Sequence, residues 1–246
     1  METILDGIVL SSLEYRENDA ILTFLGRDDC KYRVVARGVQ KIGSKNAGAL
    51  LPGTQSSFTL ELKENRTLHA MKQARVSVYR RHIGESLLKQ ALSSFYCEAM
   101  NRVENFADSF ALLEQALDDL EHHDDCFVSA CVFVNQLCLQ QGIAPCVDNC
   151  VSCGRKDHIA ALSLRQGGFL CSSCANHMQE IKCSKEQLRK FRYLCHADMK
   201  HLKQLRSCYH YNWNDFQLIY AFFKEYSGIH ANSFQFLEQV SKMELL

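Results

Sequence analysis

The sequence predicts an α+β fold: a small five-stranded β-barrel, then a mostly helical domain with an inserted four-cysteine knuckle. Three observations carry this. Apolar residues alternate in short runs over the first 80 positions, they recur at helical spacing from about residue 84, and two Cys-x-x-Cys pairs interrupt the helical part.

The barrel is read in order. Ile4–Leu13 is rich in β-formers and ends at the turn Glu17-Asn18-Asp19. Ala20–Leu25 is the second strand, closed by Gly26-Arg27-Asp28-Asp29, and Cys30–Val39 is the third. A glycine-bearing loop, Gln40–Gly48, follows. Ser57–Leu62 and Thr67–Met71 are the fourth and fifth strands, around a turn at Glu64-Asn65. Five short strands with these turns point to an OB-fold, which sets domains at 1–80 and 81–246. In the second, Leu88, Leu92, Phe95, Ala99 and Val103 share a helix face, as do Phe110, Leu113, Leu117 and Leu120. Cys126–Leu139 is apolar nearly all round and reads as a buried helix ended by Gly142 and Pro145. Leu188, Phe191, Cys195, Met199 and Leu202 mark one further helix, and Phe216–Tyr226 and Phe234–Val240 two more.

Composition narrows the class. The 246 residues are 47% hydrophobic with only two prolines, enough apolar material for one or two cores and too little proline for long linkers. No run approaches the ~18 apolar residues of a membrane span, and the start METILDG lacks the basic and apolar regions of a secretory signal. A cytoplasmic protein is expected, in which 13 cysteines serve as buried hydrophobes or metal ligands rather than disulfides. Lys and Arg equal Asp and Glu at 28 each, but unevenly: residues 1–80 hold 12 basic and 9 acidic side chains, 81–145 hold 3 and 10, and 146–246 hold 13 and 9. An acidic middle separates two basic ends.

Cys150, Cys153, Cys171 and Cys174 have the spacing Cys-x2-Cys, seventeen residues, Cys-x2-Cys. Each tight turn presents two thiolates to one ion, and two turns complete a tetrahedron, so one structural zinc is expected within a knuckle at about 146–180. Gly154 stands where a knuckle needs positive φ, and Ile159–Leu164 with Gly168–Leu170 can form the hairpin between the pairs. Cys146 and Cys183 flank the site as alternative ligands. Four thiolates leave no position for a reacting water, so the site is structural. Redox pairs are the competing reading, disfavoured because two knuckles at this spacing suit a metal.

A second signal lies in the barrel. No acidic residue occurs from Cys30 to Leu60, a stretch that contains Lys31, Arg33, Arg37, Lys41 and Lys45. Strand alternation puts Lys31, Arg33, Val35 and Arg37 on one face and Tyr32, Val34 and Ala36 on the other. Three cations then stand outside the strand, and Lys41, Ser44 and Lys45 extend the field along a flexible loop. A solvated face usually mixes charge signs, and this one does not, so it is a candidate nucleic-acid surface acting through phosphate contacts. The segment 182–206, with eight basic residues including Lys190, Arg192 and Arg206, is either a second such surface or the wet side of a helix. His122-His123 among acids reads as a solvated helix end, and no nucleotide loop, nucleophile elbow or zinc-protease helix occurs.

The order of barrel, helices and knuckle resembles RecO, the bacterial recombination mediator family. DGIVLSSLEYRENDAILTFL is similar to that family's opening strands, VARGVQKIGSKNAGALLPG to its basic strand and loop, GIAPCVDNCVSCG to the approach to its knuckle, and YSGIHANSFQFL to its closing helices. The resemblance implies an N-terminal OB-fold and a structural zinc on the four cysteines, with DNA-binding positions at Arg33, Arg37, Lys41 and Lys45. It implies binding of single- and double-stranded DNA, strand annealing without catalysis, and a cytoplasmic, nucleoid-associated place. It also implies RecR and the single-stranded DNA-binding protein as partners. A zinc-ribbon adaptor that binds acidic proteins through the basic faces is the alternative from another class.

Overall fold

The computed structural model describes residues 2–41, 43–44, 46–62, 67–178, 180 and 182–243. By packing, the chain forms two compact units, Met1–Asp124 with Ala231–Leu246, and Asp125–His230. Among the described residues no helix is long and apolar enough to cross a membrane.

The first unit opens with strands β1 (Glu2–Tyr15), β2 (Asp19–Gly26), β3 (Lys31–Ala36), β4 (Gln55–Glu61) and β5 (Leu68–Val78). They close into a barrel in the order β1-β2-β3-β5-β4, with β4 pairing back to β1. Only β3 and β5 run parallel. Alternation directs Leu22, Phe24, Val34, Ala36, Phe58 and Leu60 inward, where Phe24 stacks on Phe58 at 4.3 Å. A register shift between Val9 and Ser11 lets β1 bend, so its first half pairs with β4 and its whole length from Gly7 pairs with β2. Gly7 is required at this crossing: a Cβ there would sit 2.4 Å from the Phe24 ring and 2.7 Å from the Leu25 carbonyl.

β5 runs seven residues beyond the expected Thr67–Met71. A second register shift, between Thr59 and Leu60 of β4, turns Met71 and Ala74 inward together, and a period of two cannot reveal that. The expected turn at Glu64-Asn65 lies outside the described residues.

Helices α1 (Arg81–Glu85), α2 (Leu87–Arg102), α3 (Ser109–His122) and the C-terminal α9 (Ser233–Met243) complete the unit. α2 and α3 bury the apolar faces read from the sequence. The acidic middle of the chain is spent here. Glu98 on α2 accepts the N–H groups of Asn232 and Ser233 at the start of α9, at 2.8 and 2.7 Å. Glu121 accepts those of His82 and Ile83 at the start of α1. Glu114 bonds Arg27 and Gln55, and Asp118 pairs with the buried Arg80.

Asp29, in the β2–β3 turn, caps α3 from 79 residues away: its carboxylate accepts the N–H groups of Asp108 (2.9 Å) and Phe110 (2.8 Å) and the Ser109 hydroxyl. The local cap residue, Asp108, makes no side-chain cap bond. Asp29→Ala is therefore expected to cost ~1–2 kcal/mol, read as a lower urea midpoint at unchanged slope. An unchanged midpoint would show that α3 starts without this cap.

The second unit holds α4 (Cys126–Gln140), β6 (Ile159–Ser163), β7 (Gly168–Cys171), α5 (Ser172–His177), α6 (Lys185–His196), α7 (Leu202–Cys208) and α8 (Trp213–Ser227). α4 is the buried helix expected, and Gly142 ends it at φ +68. The helix expected across Leu188–Leu202 is instead broken at Ala197. Asn135 donates to the carbonyls of Leu194 and Cys195, and Gln136 to that of Ala197. Asp198 then caps a 3₁₀ turn, Met199–His201, by accepting the Lys200 N–H. Partners from α4 have taken the carbonyls a continuous helix would use.

Candidate metal centre and nucleic-acid face

The hairpin β6–β7 brings the two Cys-x-x-Cys turns together. Ile159 pairs with Cys171, and Val151 donates to the Phe169 carbonyl at 2.9 Å, so the first knuckle rides on the second strand. Gly154 closes the first turn at φ +74, donating to the Cys150 carbonyl. Cys171 stands at the cap position of α5, which carries Cys174 one turn on. Gly168 lies against the Cys146 backbone: a Cβ there would fall 2.2 Å from its carbonyl oxygen, so only glycine seats β7 at this point.

The sulfurs of Cys150, Cys153, Cys171 and Cys174 all lie within 4.8 Å of one another. Cys153 and Cys171 are 3.7 Å apart, near the ~3.8 Å edge of a tetrahedron with metal–sulfur bonds of ~2.3 Å and far from the ~2.05 Å of a disulfide. Burial raises the Cys150 thiol, but backbone hydrogen bonds from Cys171, Cys153 and Ser152 bring it down to about 6. Cys171 is lowered chiefly by the backbone of Cys174. Cys174 moves the other way, to about 11: the Ser152 hydroxyl lowers it, and the neighbouring thiols and burial outweigh that bond. Sulfurs this close compete for negative charge, and a cation among them would let all four ionise. The four-cysteine cluster could hold a metal ion. Among the described residues it is the one group of potential ligands at such distances, and neither Cys146 nor Cys183 belongs to it.

The barrel treats the predicted basic residues differently. Arg33 and Arg37 are exposed while Val34 and Ala36 are buried, as alternation requires. Asp19 accepts the Gly38 N–H at 2.8 Å, and Gln40 donates to the Asn18 carbonyl, so the turn carrying Arg37 and Lys41 is anchored to the β1–β2 turn. Arg33, Arg37 and Lys41 make no ion pair among the described residues. Lys45 lies outside the described residues.

Lys31 departs from the expectation of a third free cation. It is half-buried, and its Nζ donates to the carbonyls of Asn101, at 3.4 Å, and Val103, at the C-terminal end of α2. Unpaired carbonyls and the negative end of the helix dipole hold the ammonium there. Lys31→Met should therefore lower stability by ~1–2 kcal/mol, read as a lower urea midpoint at unchanged slope. An unchanged midpoint would show that these carbonyls do not need the ammonium and would return Lys31 to the set of free cations.

Sequence reading missed the apolar strip on the same outer face. Leu13 is paired with Ile21, and Ile21 with Val35, and Leu13 is 62% exposed. The shift after Val9 hides Leu13's side from a simple alternation count. In the 182–206 segment, Lys190 is paired with Asp215, Arg192 with Asp148, and Arg206 donates to the Asp125 carbonyl. Those three cations serve packing within the second unit.

Two family models match this chain. The N-terminal domain of recombination protein O matches residues 1–79, and its C-terminal domain matches residues 85–229. Curated relatives named DNA repair protein RecO align along the whole length. That of Bacillus pumilus (strain SAFR-032) is 26% identical over 246 residues, covering 98% of this chain and 95% of the relative. That of Bacillus subtilis (strain 168) is 26% identical over 251 residues, covering 100% and 98%. That of Oceanobacillus iheyensis is 24% identical over 241 residues, covering 96% and 93%.

Proposed function

The chain belongs to the recombination protein O family of DNA repair proteins, and from that membership we propose that it is a non-enzymatic mediator which binds single- and double-stranded DNA and anneals complementary strands. With RecR it helps load RecA onto gaps covered by the single-stranded DNA-binding protein, in the cytoplasm at the nucleoid. Residues 1–80 are the DNA-binding domain, and 81–246 the helical body with its knuckle.

One observation carries the DNA reading: Arg33, Arg37 and Lys41 stand exposed and unpaired with acids, among the described residues, on an acid-free stretch of a closed barrel. Annealing asks for no bond chemistry. Two strands repel one another, and cations that neutralise phosphates lower that repulsion and raise the encounter rate. The soft four-thiolate set fits zinc. Such an ion, with every position filled by sulfur, supplies folding energy rather than catalysis. The adaptor alternative has less support, because four acids of the middle segment, Glu98, Glu114, Asp118 and Glu121, are engaged within the first unit.

The test mixes two complementary oligonucleotides with the protein and follows duplex formation by fluorescence across a salt series. Acceleration over the protein-free rate, fading as salt rises, is expected. No acceleration at low salt, with the fold intact, would overturn the annealing assignment.

A further inference from the structure

The first unit contains a cleft of about 520 Å³, walled by the segment Gly48–Thr54, the end of β5, α1 and α2. We propose that it receives an unstacked base of a single DNA strand, with the Tyr79 ring as its stacking platform. The proposal rests on the DNA-binding reading above and assigns it a place for the base.

Three exposed apolar side chains gather at this cleft. Tyr79 is 80% exposed, Leu51 61% and Val76 43%. Each apolar surface left in water costs free energy, and a cluster of them around a cavity marks a place that something covers. The cavity lies within the usual ~300–1,000 Å³ of a small-ligand site. Ser94 lines it as well, and so does Gln90, whose Nε2 donates to the Gly84 carbonyl at 2.8 Å and whose Oε1 is left to accept from a base edge.

The basic loop leads there. β3 and β5 run parallel with Ala36 beside Met71, so the chain leaving β3 travels the same way as β5. That stretch carries Arg37 and Lys41, and Asn46 Oδ1 then accepts the Ala74 N–H of β5 at 3.3 Å. The 3₁₀ turn Ala47–Leu50 follows, and its Gly48 with the next residue, Leu51, lines the cleft. On β5 itself the exposed Arg75 precedes Val76 and Tyr79. Arg81, on the rim, is paired with Glu85 at 2.7 Å. Phosphates held by Arg37, Lys41 and Arg75 would therefore bring the strand to the mouth of the cleft.

The chemistry favours a base over an acidic peptide. A carboxylate seeks a cation whose free donors it can reach. Arg80, the buried arginine of the wall, gives Nε and Nη2 to Asp118 and Gln55, and its Nη1, which has no hydrogen-bond partner, is sealed from solvent and so from a ligand in the cleft. What the cleft leaves open is a flat ring and aliphatic surface. Every base has a π-face for such a ring, so the contact adds affinity without sequence preference. A paired base is stacked already and gains nothing, so Tyr79 would distinguish single strands from duplex.

The experiment measures binding of the full chain to a mixed-sequence oligonucleotide and to the duplex of the same length, by fluorescence anisotropy. Wild type, Tyr79→Ala and Tyr79→Phe are compared. Tyr79 is exposed, so its truncation leaves the core intact. The expected result for Tyr79→Ala is single-strand affinity lower by about 5- to 150-fold, duplex affinity within twofold of wild type, and recovery in Tyr79→Phe. Equal loss for both DNA forms, or no loss, would overturn the base assignment and leave DNA binding standing. Loss of binding to an acidic peptide, with single-strand affinity intact, would assign the cleft to a peptide instead. A wild-type protein that binds neither DNA form would overturn the functional reading together with this one.

Discussion

Replacing Cys150 with serine is expected to abolish stoichiometric metal binding and to unfold the knuckle. The wild-type chain should carry one zinc, measured by metal analysis after gel filtration, and the variant none. The scale follows from what the knuckle has without an ion. Its apolar cluster consists of Cys150, Ala161, Leu170, Cys171 and Ala175, with a few half-buried neighbours. Two of those five belong to the four-cysteine cluster, and of the rest only Leu170 is larger than alanine, so burial alone supplies a few kcal/mol at most. Four-ligand zinc sites in finger peptides contribute roughly 10–16 kcal/mol of apparent binding energy, comparable with the whole stability of a typical domain at about 5–15 kcal/mol. Hydrogen exchange should therefore rise sharply across residues 146–178 in Cys150→Ser, while amides of the barrel, whose core contains none of the ligands, keep their protection. Chelation of the wild type should reproduce the pattern. The metal should also leave as pH falls, because each thiolate must stay deprotonated to bind. Protected knuckle amides in a metal-free wild-type protein would refute the assignment.

The double variant Arg37→Ala with Lys41→Ala should weaken single-strand binding roughly tenfold near ~0.15 M salt, across sequences. The slope of log affinity against log salt should flatten by ~1.4, since each lost phosphate contact on a single strand removes ~0.7. Adding Arg33→Ala should bring the flattening to ~2. These side chains are exposed and make no ion pair among the described residues, so their removal should leave stability within ~0.5 kcal/mol of wild type. The annealing rate should fall in step with affinity. Unchanged affinity and slope in the triple variant would move the DNA path off β3.

Tyr79→Ala differs from these in kind. A lost phosphate contact lowers affinity for both DNA forms and flattens the salt dependence. A lost stacking contact lowers affinity for the single strand alone and leaves the slope in place. The two measurements therefore separate charge from stacking on one barrel.

Much of this molecule could be read from its residues because the relevant rules are local. Alternation over Lys31–Ala36 assigns each side chain to a face of β3, and burial follows it: Val34 and Ala36 are inside and Arg33 outside. Cysteine spacing requires two tight turns, and the hairpin residues between them supply the only connection needed to join the pairs. The apolar run of α4 and its stop at Gly142 are equally local. What only the tertiary structure decided is which groups are left free. Lys31 and Arg33 stand on the same face of one strand, yet the carbonyls ending α2 take the first and leave the second to solvent. Asp29 reads as a turn residue, but it supplies the cap that Asp108 does not. The run Leu188–Leu202 has unbroken helical spacing, and it breaks where Asn135 and Gln136 claim its carbonyls. Tyr79 is one of nine tyrosines in the sequence, and only the meeting of β5, α1 and α2 makes it the wall of a cleft. Periodicity fixes the direction of a side chain from its own backbone. Its partners come from segments tens of residues away, and those partners determine whether a charge, a carbonyl or a ring remains available to bind.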